Sequence, residues 1–167
     1  ILQLYQHQPD ELWVISELGL FKIVIDGRSF QTKQILDNAQ SLNYITSTDS
    51  GYWIGGNRGQ ILHYGLDFKN YESYIISEKS SSRNTVFKII KLNDHSLLVG
   101  TEHDGLLVFD IPKKQFIKTE IQSTIVRDIL IDNDDVLWVA TDGNGLYSGT
   151  SINEFIQHKH IPGTQSS

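Results

Sequence analysis

The sequence contains no cysteine, which excludes disulfides and thiolate metal sites and says little about compartment. It contains no methionine either, not even an initiating one, so the chain is expected to be a piece of a longer polypeptide. No apolar run approaches the ~18 residues that a membrane-spanning helix needs, and no membrane contact is expected in this segment. The opening Ile1-Leu2-Gln3-Leu4-Tyr5 has no basic stretch ahead of it and goes straight into a strand pattern, so no signal peptide is read here. No segment keeps the helical period of about 3.6 residues for three turns, so no helix is expected. Positive charge is also short. With 14 Lys and Arg against 20 Asp and Glu, the net charge is −6. A binder of phosphate backbones needs a basic face, so nucleic acid is not an expected partner.

What remains is ordinary for a globular domain. The 167 residues are 39% hydrophobic and 20% charged, enough to build one core and too apolar for a disordered tail. The informative feature is a repeat. Val136-Leu137-Trp138-Val139-Ala140-Thr141-Asp142-Gly143-Asn144-Gly145-Leu146-Tyr147 reads as strand, tight turn, strand. The same phrase stands upstream around Trp13, Trp53 and Leu98, at successive spacings of 40, 45 and 40 residues. Short β segments repeating at about 40 residues, four strands to a repeat, indicate a β-propeller.

The expected fold is therefore all-β, with four-stranded antiparallel blades at about 1–40, 41–83, 84–122 and 123–163. The four strands of each blade are called A to D here. In the fourth blade they are expected at about 124–132, 136–141, 144–149 and 153–160, and the D strands of blades two and three at 70–77 and 114–121. Leu97-Leu98-Val99 and Leu106-Leu107-Val108-Phe109 are continuous apolar runs, as in strands covered on both faces. The D segments alternate and carry charge, which suits outer edge strands. Trp13, Trp53 and Trp138 are expected to wedge between adjacent blades. One blade cannot bury both of its faces, so the end blades need cover from the rest of a propeller, from a second copy of the chain, or from closure of blade one onto blade four as a four-bladed ring.

Successive antiparallel strands alternate direction, so the B–C turns and the D–A links should emerge on one face of the propeller. That face would carry Asn57 and Arg58, then Lys79, Arg83 and Asn84, then Glu102, His103 and Asp104, and finally Asp142 and Asn144. Loops on a rigid scaffold concentrate binding groups. Amides, carboxylates and guanidinium forks can pair with sugar hydroxyls or acidic sugars. Asn57, Arg58, Arg83, Glu102, His103, Asp104, Asp142 and Asn144 are accordingly the candidate ligand-binding residues. His158-x-His160 places two imidazoles on one side of a strand, but without a carboxylate they are read as an exposed pair. The acidic Asp132-Asn133-Asp134-Asp135 lacks the spacing of a calcium loop and is read as a hairpin turn. No metal, cofactor or catalytic residue is expected.

The phrase Val126-x-x-Ile129-x-x-Asp132-x-x-Asp135-Val136-Leu137-Trp138-Val139-Ala140-Thr141-x-Gly143-x-Gly145-Leu146 resembles the two-component regulator propeller repeat. That repeat runs roughly V-x-x-I-x-x-D-x-x-G-x-L-W-I-G-T-x-x-G-L. Asp135 stands where the family usually has Gly, and Leu98 replaces the Trp in the third blade. The resemblance implies part of a seven-bladed propeller in the periplasmic sensor region of a Bacteroidetes hybrid two-component system. It also implies an oligosaccharide ligand, and a kinase further along the full chain. Some propellers with similar repeats are lyases that hold Mg²⁺ through His and acidic residues, and Glu102, His103 and Asp104 would be the candidates for that. The mixed set on the other turns suits hydroxyl recognition better, and a protein-binding scaffold is the further alternative.

Overall fold

The computed structural model describes residues 2–37, 41–76 and 84–159, and they form sixteen strands in four antiparallel sheets of four. Blade one comprises β1 (Gln3–Gln8), β2 (Glu11–Ser16), β3 (Gly19–Asp26) and β4 (Ser29–Asp37). Blade two comprises β5 (Leu42–Thr48), β6 (Gly51–Gly56), β7 (Gln60–Tyr64) and β8 (Tyr71–Ile75). Blade three comprises β9 (Val86–Asn93), β10 (Ser96–Thr101), β11 (Leu106–Asp110) and β12 (Gln115–Lys118). Blade four comprises β13 (Ile125–Ile131), β14 (Leu137–Asp142), β15 (Gly145–Ser151) and β16 (Glu154–His158). Each sheet is a meander in chain order, and no helix occurs among the described residues. The first strands of successive sheets touch one another, β1 with β5, β5 with β9 and β9 with β13. That places them innermost, and the chain forms a β-propeller.

The D strands β8 and β12 are shorter than their alternation suggests. In blade three the ladder ends because Thr119 turns its hydroxyl onto the Leu106 carbonyl at 2.8 Å. This closes the chain over Gly105. Gly105 has φ +74°, and a Cβ there would lie 2.1 Å from the Ile121 carbonyl oxygen. Gly145 stands in the same place, with φ +83° and the His158 carbonyl 2.5 Å from where its Cβ would be. Only glycine combines that backbone with that approach. This is the physical content of the Gly-Leu phrase that recurs in the sequence.

The core consists of three inter-blade layers. Trp13, Ile15 and Leu20 of blade one pack on Leu42, Ile45, Ile54 and Leu62 of blade two. Trp53 and Ile61 pack on Val86, Ile89, Val99 and Leu107. Leu98, Leu106 and Val108 pack on Val126, Ile129, Leu137 and Val139. Every blade thus has a leading face, holding the Trp or Leu98, and a trailing face that receives the leading face before it. Trp13 and Trp53 are buried as expected, at 3% and 1% exposure. Trp138 is half-buried, since among the described residues no further blade packs on its side of blade four.

Close approach is built into two of these layers. A Cβ on Gly55 would sit 2.6 Å from Val86 Cγ1, and one on Gly100 would sit 2.7 Å from Val126 Cγ1. Each Gly lets the next blade's first strand come in against the backbone. At the rim of the first layer Phe68 adopts φ 56°, an unusual conformation for an aromatic residue. That bend inserts its ring beside Trp13 at 5.0 Å and Tyr52 at 4.5 Å.

Candidate functional site

The innermost strands carry a feature that alternation alone does not explain. Their buried residues are three apart rather than two: Leu42 and Ile45, Val86 and Ile89, Val126 and Ile129. Side chains three apart on a regular strand point to opposite faces. The register resolves this, because Leu42 and Tyr44 oppose consecutive residues of β6, Val86 and Lys88 those of β10, and Val126 and Asp128 those of β14. Asn43, Phe87 and Arg127 are therefore bulged, one in each blade at the same place. A bulge re-aims a side chain and often lies beside a functional site.

All three bulges lie at the end of the axis where the B–C turns emerge. Asn43 Nδ2 donates to Asn57 Oδ1 at 2.8 Å. Arg127 Nη2 donates to Asp142 Oδ2 at 2.8 Å, and its guanidinium lies 4.7 Å from the centre of the Phe87 ring. Asn57 and Glu102 open the B–C turns of blades two and three, and Asp142 ends β14 at the turn of blade four, so these three blades each present one bulge residue and one turn residue. Asn43 with Asn57 and Arg127 with Asp142 form hydrogen-bonded dyads, and Phe87 and Glu102 hold the corresponding positions in blade three. Both members of the Arg127–Asp142 pair are about half-exposed. Asn43, Phe87 and Arg127 were not among the candidates drawn from the sequence. The signal for them was there, in the spacing Val126-x-x-Ile129 within an otherwise β-patterned stretch.

The D–A links join this face as the alternation of strand direction requires. The Asn57 amide donates to the Ser41 carbonyl at 3.2 Å, and the Glu102 amide to the Thr85 carbonyl at 2.9 Å. Several candidate residues turn out to hold the turns in place. Asp104 Oδ2 accepts from Asn84 Nδ2 at 2.5 Å, and the His103 amide donates to Asn84 Oδ1 at 2.9 Å. Asn144 Nδ2 reaches Thr124 Oγ1 at 2.9 Å, repeating the link–turn connection in blade four. Glu102 Oε2 accepts from the Thr85 amide at 3.2 Å. Burial works against the Glu102 carboxylate, but the Thr85 hydrogen bonds and the charges of His103 and Arg127 outweigh it and lower its pKa. Arg58 and the His103 ring are exposed, and among the described residues neither side chain has a hydrogen-bond partner. Arg58 has φ 63° and stands at the tip of its turn. Arg83 and His160 lie outside the described residues.

Deeper along the axis, Lys88 bridges three blades. Its ammonium lies 5.4 Å over the Tyr44 ring and 2.7 Å from Asp128 Oδ1. Burial opposes the Lys88 charge, yet Asp128 and Tyr44 prevail and its pKa is raised. Among the described residues no three His, Asp or Glu side chains gather as a metal site would need. A hollow of about 440 Å³ lies away from the axis, against the outer strands of blade four. Of its two acidic residues, Glu120 and Glu154, the first accepts the Phe155 amide at 2.5 Å.

Comparison with known proteins agrees with this architecture. No curated protein matches the chain by sequence. Among solved structures, the chain is similar to the extracellular domain of BT4673, a proposed hybrid two component system of B. thetaiotaomicron. The identity is 20% and the TM-score 0.72, over 93% of this chain and 21% of that one. A second such extracellular domain, of BT3049 from the same organism, shares 20% identity with a TM-score of 0.67, over 94% of this chain and 24% of that one. PorZ, a surface component of the type-IX secretion system of Porphyromonas gingivalis, matches at 13% identity and TM-score 0.66, over 92% and 26%. The chain thus spans between a fifth and about a quarter of these structures, and at such identities the likeness is one of fold. Residues 120–143 match the family model of the two component regulator propeller, so blade four of this β-propeller carries that repeat.

Proposed function

We propose that this segment is a ligand-recognising part of the extracytoplasmic sensor region of a two-component regulator, and that it binds rather than catalyses. The observation that carries the reading is the row of paired positions at the axis mouth. Three consecutive blades each place a bulged residue and a turn residue at the same end of the axis, and together these offer amide, guanidinium, carboxylate and aromatic groups. Such a set satisfies hydroxyl-rich ligands, because each hydroxyl both donates and accepts. An oligosaccharide is the ligand class we assign to it. Arg58 and His103 border the same end, and among the described residues neither side chain has a hydrogen-bond partner. The regulator repeat in blade four and the fold shared with the two Bacteroides extracellular domains support the sensor context. The kinase that such a role requires would lie elsewhere in the full protein.

A lyase reading needs Glu102, His103 and Asp104 to converge on an ion. Instead Asp104 is turned to Asn84, and among the described residues no three His, Asp or Glu side chains gather. The test is calorimetric titration with polysaccharide digests. Binding should weaken when Arg127→Ala and Asp142→Ala are introduced and survive Asp94→Ala on the opposite face. Absence of binding to every digest, or loss of binding through Asp94 alone, would overturn the reading.

A further inference from the structure

We infer that Lys88 is a positioning residue for the axis mouth, one that keeps the Arg127 guanidinium in place by holding the neighbouring Asp128 carboxylate away from it. The use of that guanidinium for a ligand rests on the reading given above. Its placement by Lys88 does not, and is measurable without a ligand.

Each bulge residue is followed in the chain by one member of a second set: Asn43 by Tyr44, Phe87 by Lys88 and Arg127 by Asp128. Register puts these three followers at one level, opposite Gly55, Gly100 and Ala140. They meet across the blade boundaries. The Lys88 ammonium lies 5.4 Å from the centre of the Tyr44 ring and 2.7 Å from Asp128 Oδ1. At the bulges themselves, Arg127 lies over the Phe87 ring and donates to Asp142. Blades three and four are therefore joined by two successive contacts, one made by the bulge residues and one by their followers.

The second contact decides what the first can do. Arg127 has Asp142 across the strand pair and Asp128 as its neighbour in the chain. In the structure it is Asp142 that takes the guanidinium. The Asp128 carboxylate is occupied elsewhere, because Oδ1 accepts from Lys88 and from the Ile129 amide at 2.9 Å. Asp128 is 64% exposed, so without the ammonium its carboxylate is free to swing. It then competes with Asp142 for a guanidinium one residue away. A guanidinium drawn to Asp128 leaves the Phe87 ring and no longer offers its fork to the mouth. Lys88 suits the task because its side chain is only 24% exposed. Burial opposes its charge, and Asp128 and Tyr44 sustain it. Lys88 acts through Asp128 and needs no contact with the ligand.

Magnetic resonance of the guanidinium Nε–H groups tests this, with melting curves to show that each variant folds. The chain's arginines are Arg28, Arg58, Arg83 and Arg127, and Arg127→Lys identifies the Arg127 signal. In the wild-type chain the Phe87 ring should shift that signal upfield. In Lys88→Met it should move to the position of an unstacked arginine. Adding Asp128→Asn removes the competing charge, and the signal should return. Lys88→Arg should leave it in place. A residue that merely stabilised the blade junction would not be rescued by removing a second polar group. Lys88→Gln takes the place of Lys88→Met if the latter fails to fold. In titrations with a polysaccharide digest that binds the wild-type chain, Lys88→Met should weaken binding about tenfold, as loss of an outer partner does for the groups it orients. Asp128→Asn in that background should restore it. An Arg127 signal unmoved in Lys88→Met, a signal that Asp128→Asn fails to restore, or unchanged digest affinity in Lys88→Met overturns the inference. If every digest fails to bind while the signals behave as stated, the ligand reading falls and the placement of Arg127 by Lys88 stands.

Discussion

Asn84, fully buried between blades two and three, donates from Nδ2 to Asp104 Oδ2 at 2.5 Å. Its Oδ1 accepts the His103 amide, and its own carbonyl accepts the Gly59 amide at 2.5 Å. One side chain and one carbonyl therefore tie the B–C turns of two adjacent blades to the link between them. Asn84→Ala keeps the carbonyl but strands the Asp104 carboxylate and the His103 amide. The expected loss is about 2–3 kcal/mol, as when a buried polar partner is removed. Urea unfolding checks it. Asn84→Leu, closer in volume, should recover little, because the cost lies in the orphaned polar groups.

Gly100 tests the inter-blade approach. Gly100→Ala puts a methyl 2.7 Å from Val126 Cγ1, and overpacking of this kind costs ~1–3 kcal/mol. The severest conflict is with Val126, Ile129 Cδ1 being next at 3.3 Å, so Val126→Ala should return part of the loss in the double variant. A double-mutant cycle by denaturant unfolding reads the coupling, and strict additivity would show that the two residues do not meet.

Asp135 occupies a left-handed position, φ 58°, in a turn organised by its neighbour. Asp132 Oδ1 accepts the Asp134 and Val136 amides, and Oδ2 accepts the Trp138 indole at 2.7 Å. Asp135→Gly removes the left-handed penalty while adding chain entropy to the unfolded state, a net gain of about 0.5 kcal/mol. Thermal unfolding should rise slightly. A fall would mean that the Asp135 side chain contributes to the turn.

His63 provides the pH prediction. Its ring stacks on Trp53 at 4.2 Å, and burial, opposed by the Glu72 charge, lowers its pKa from the ordinary 6.5. The unfolded chain therefore takes up the proton first as pH falls. Stability from this residue is complete above the unfolded value and declines as pH drops through the folded one. Denaturant midpoints should fall between about pH 7 and 5. In His63→Gln that limb should flatten, and an unchanged slope would remove His63 as its source.

The sequence by itself determined the propeller. Repeated Trp-Val phrases, turn glycines and apolar runs are local signals, and strand period and turn chemistry are local physics. Gly105 and Gly145 could be read as turn positions because the constraint on them lies in their own backbone. The site was legible only in part. Asn57, Glu102 and Asp142 could be placed on one face from strand alternation. Their partners Asn43, Phe87 and Arg127 sit at bulges, and a bulge depends on how one strand registers against another. The structural work of Asn84, Asp104 and Asn144 was likewise hidden, since a turn residue's partner comes from a link about 20 residues away. Tertiary structure alone decided which residues meet across a layer, as Gly55 meets Val86 and Gly100 meets Val126. Burial belongs to the neighbour that a face receives, and a residue's type does not encode which neighbour that is.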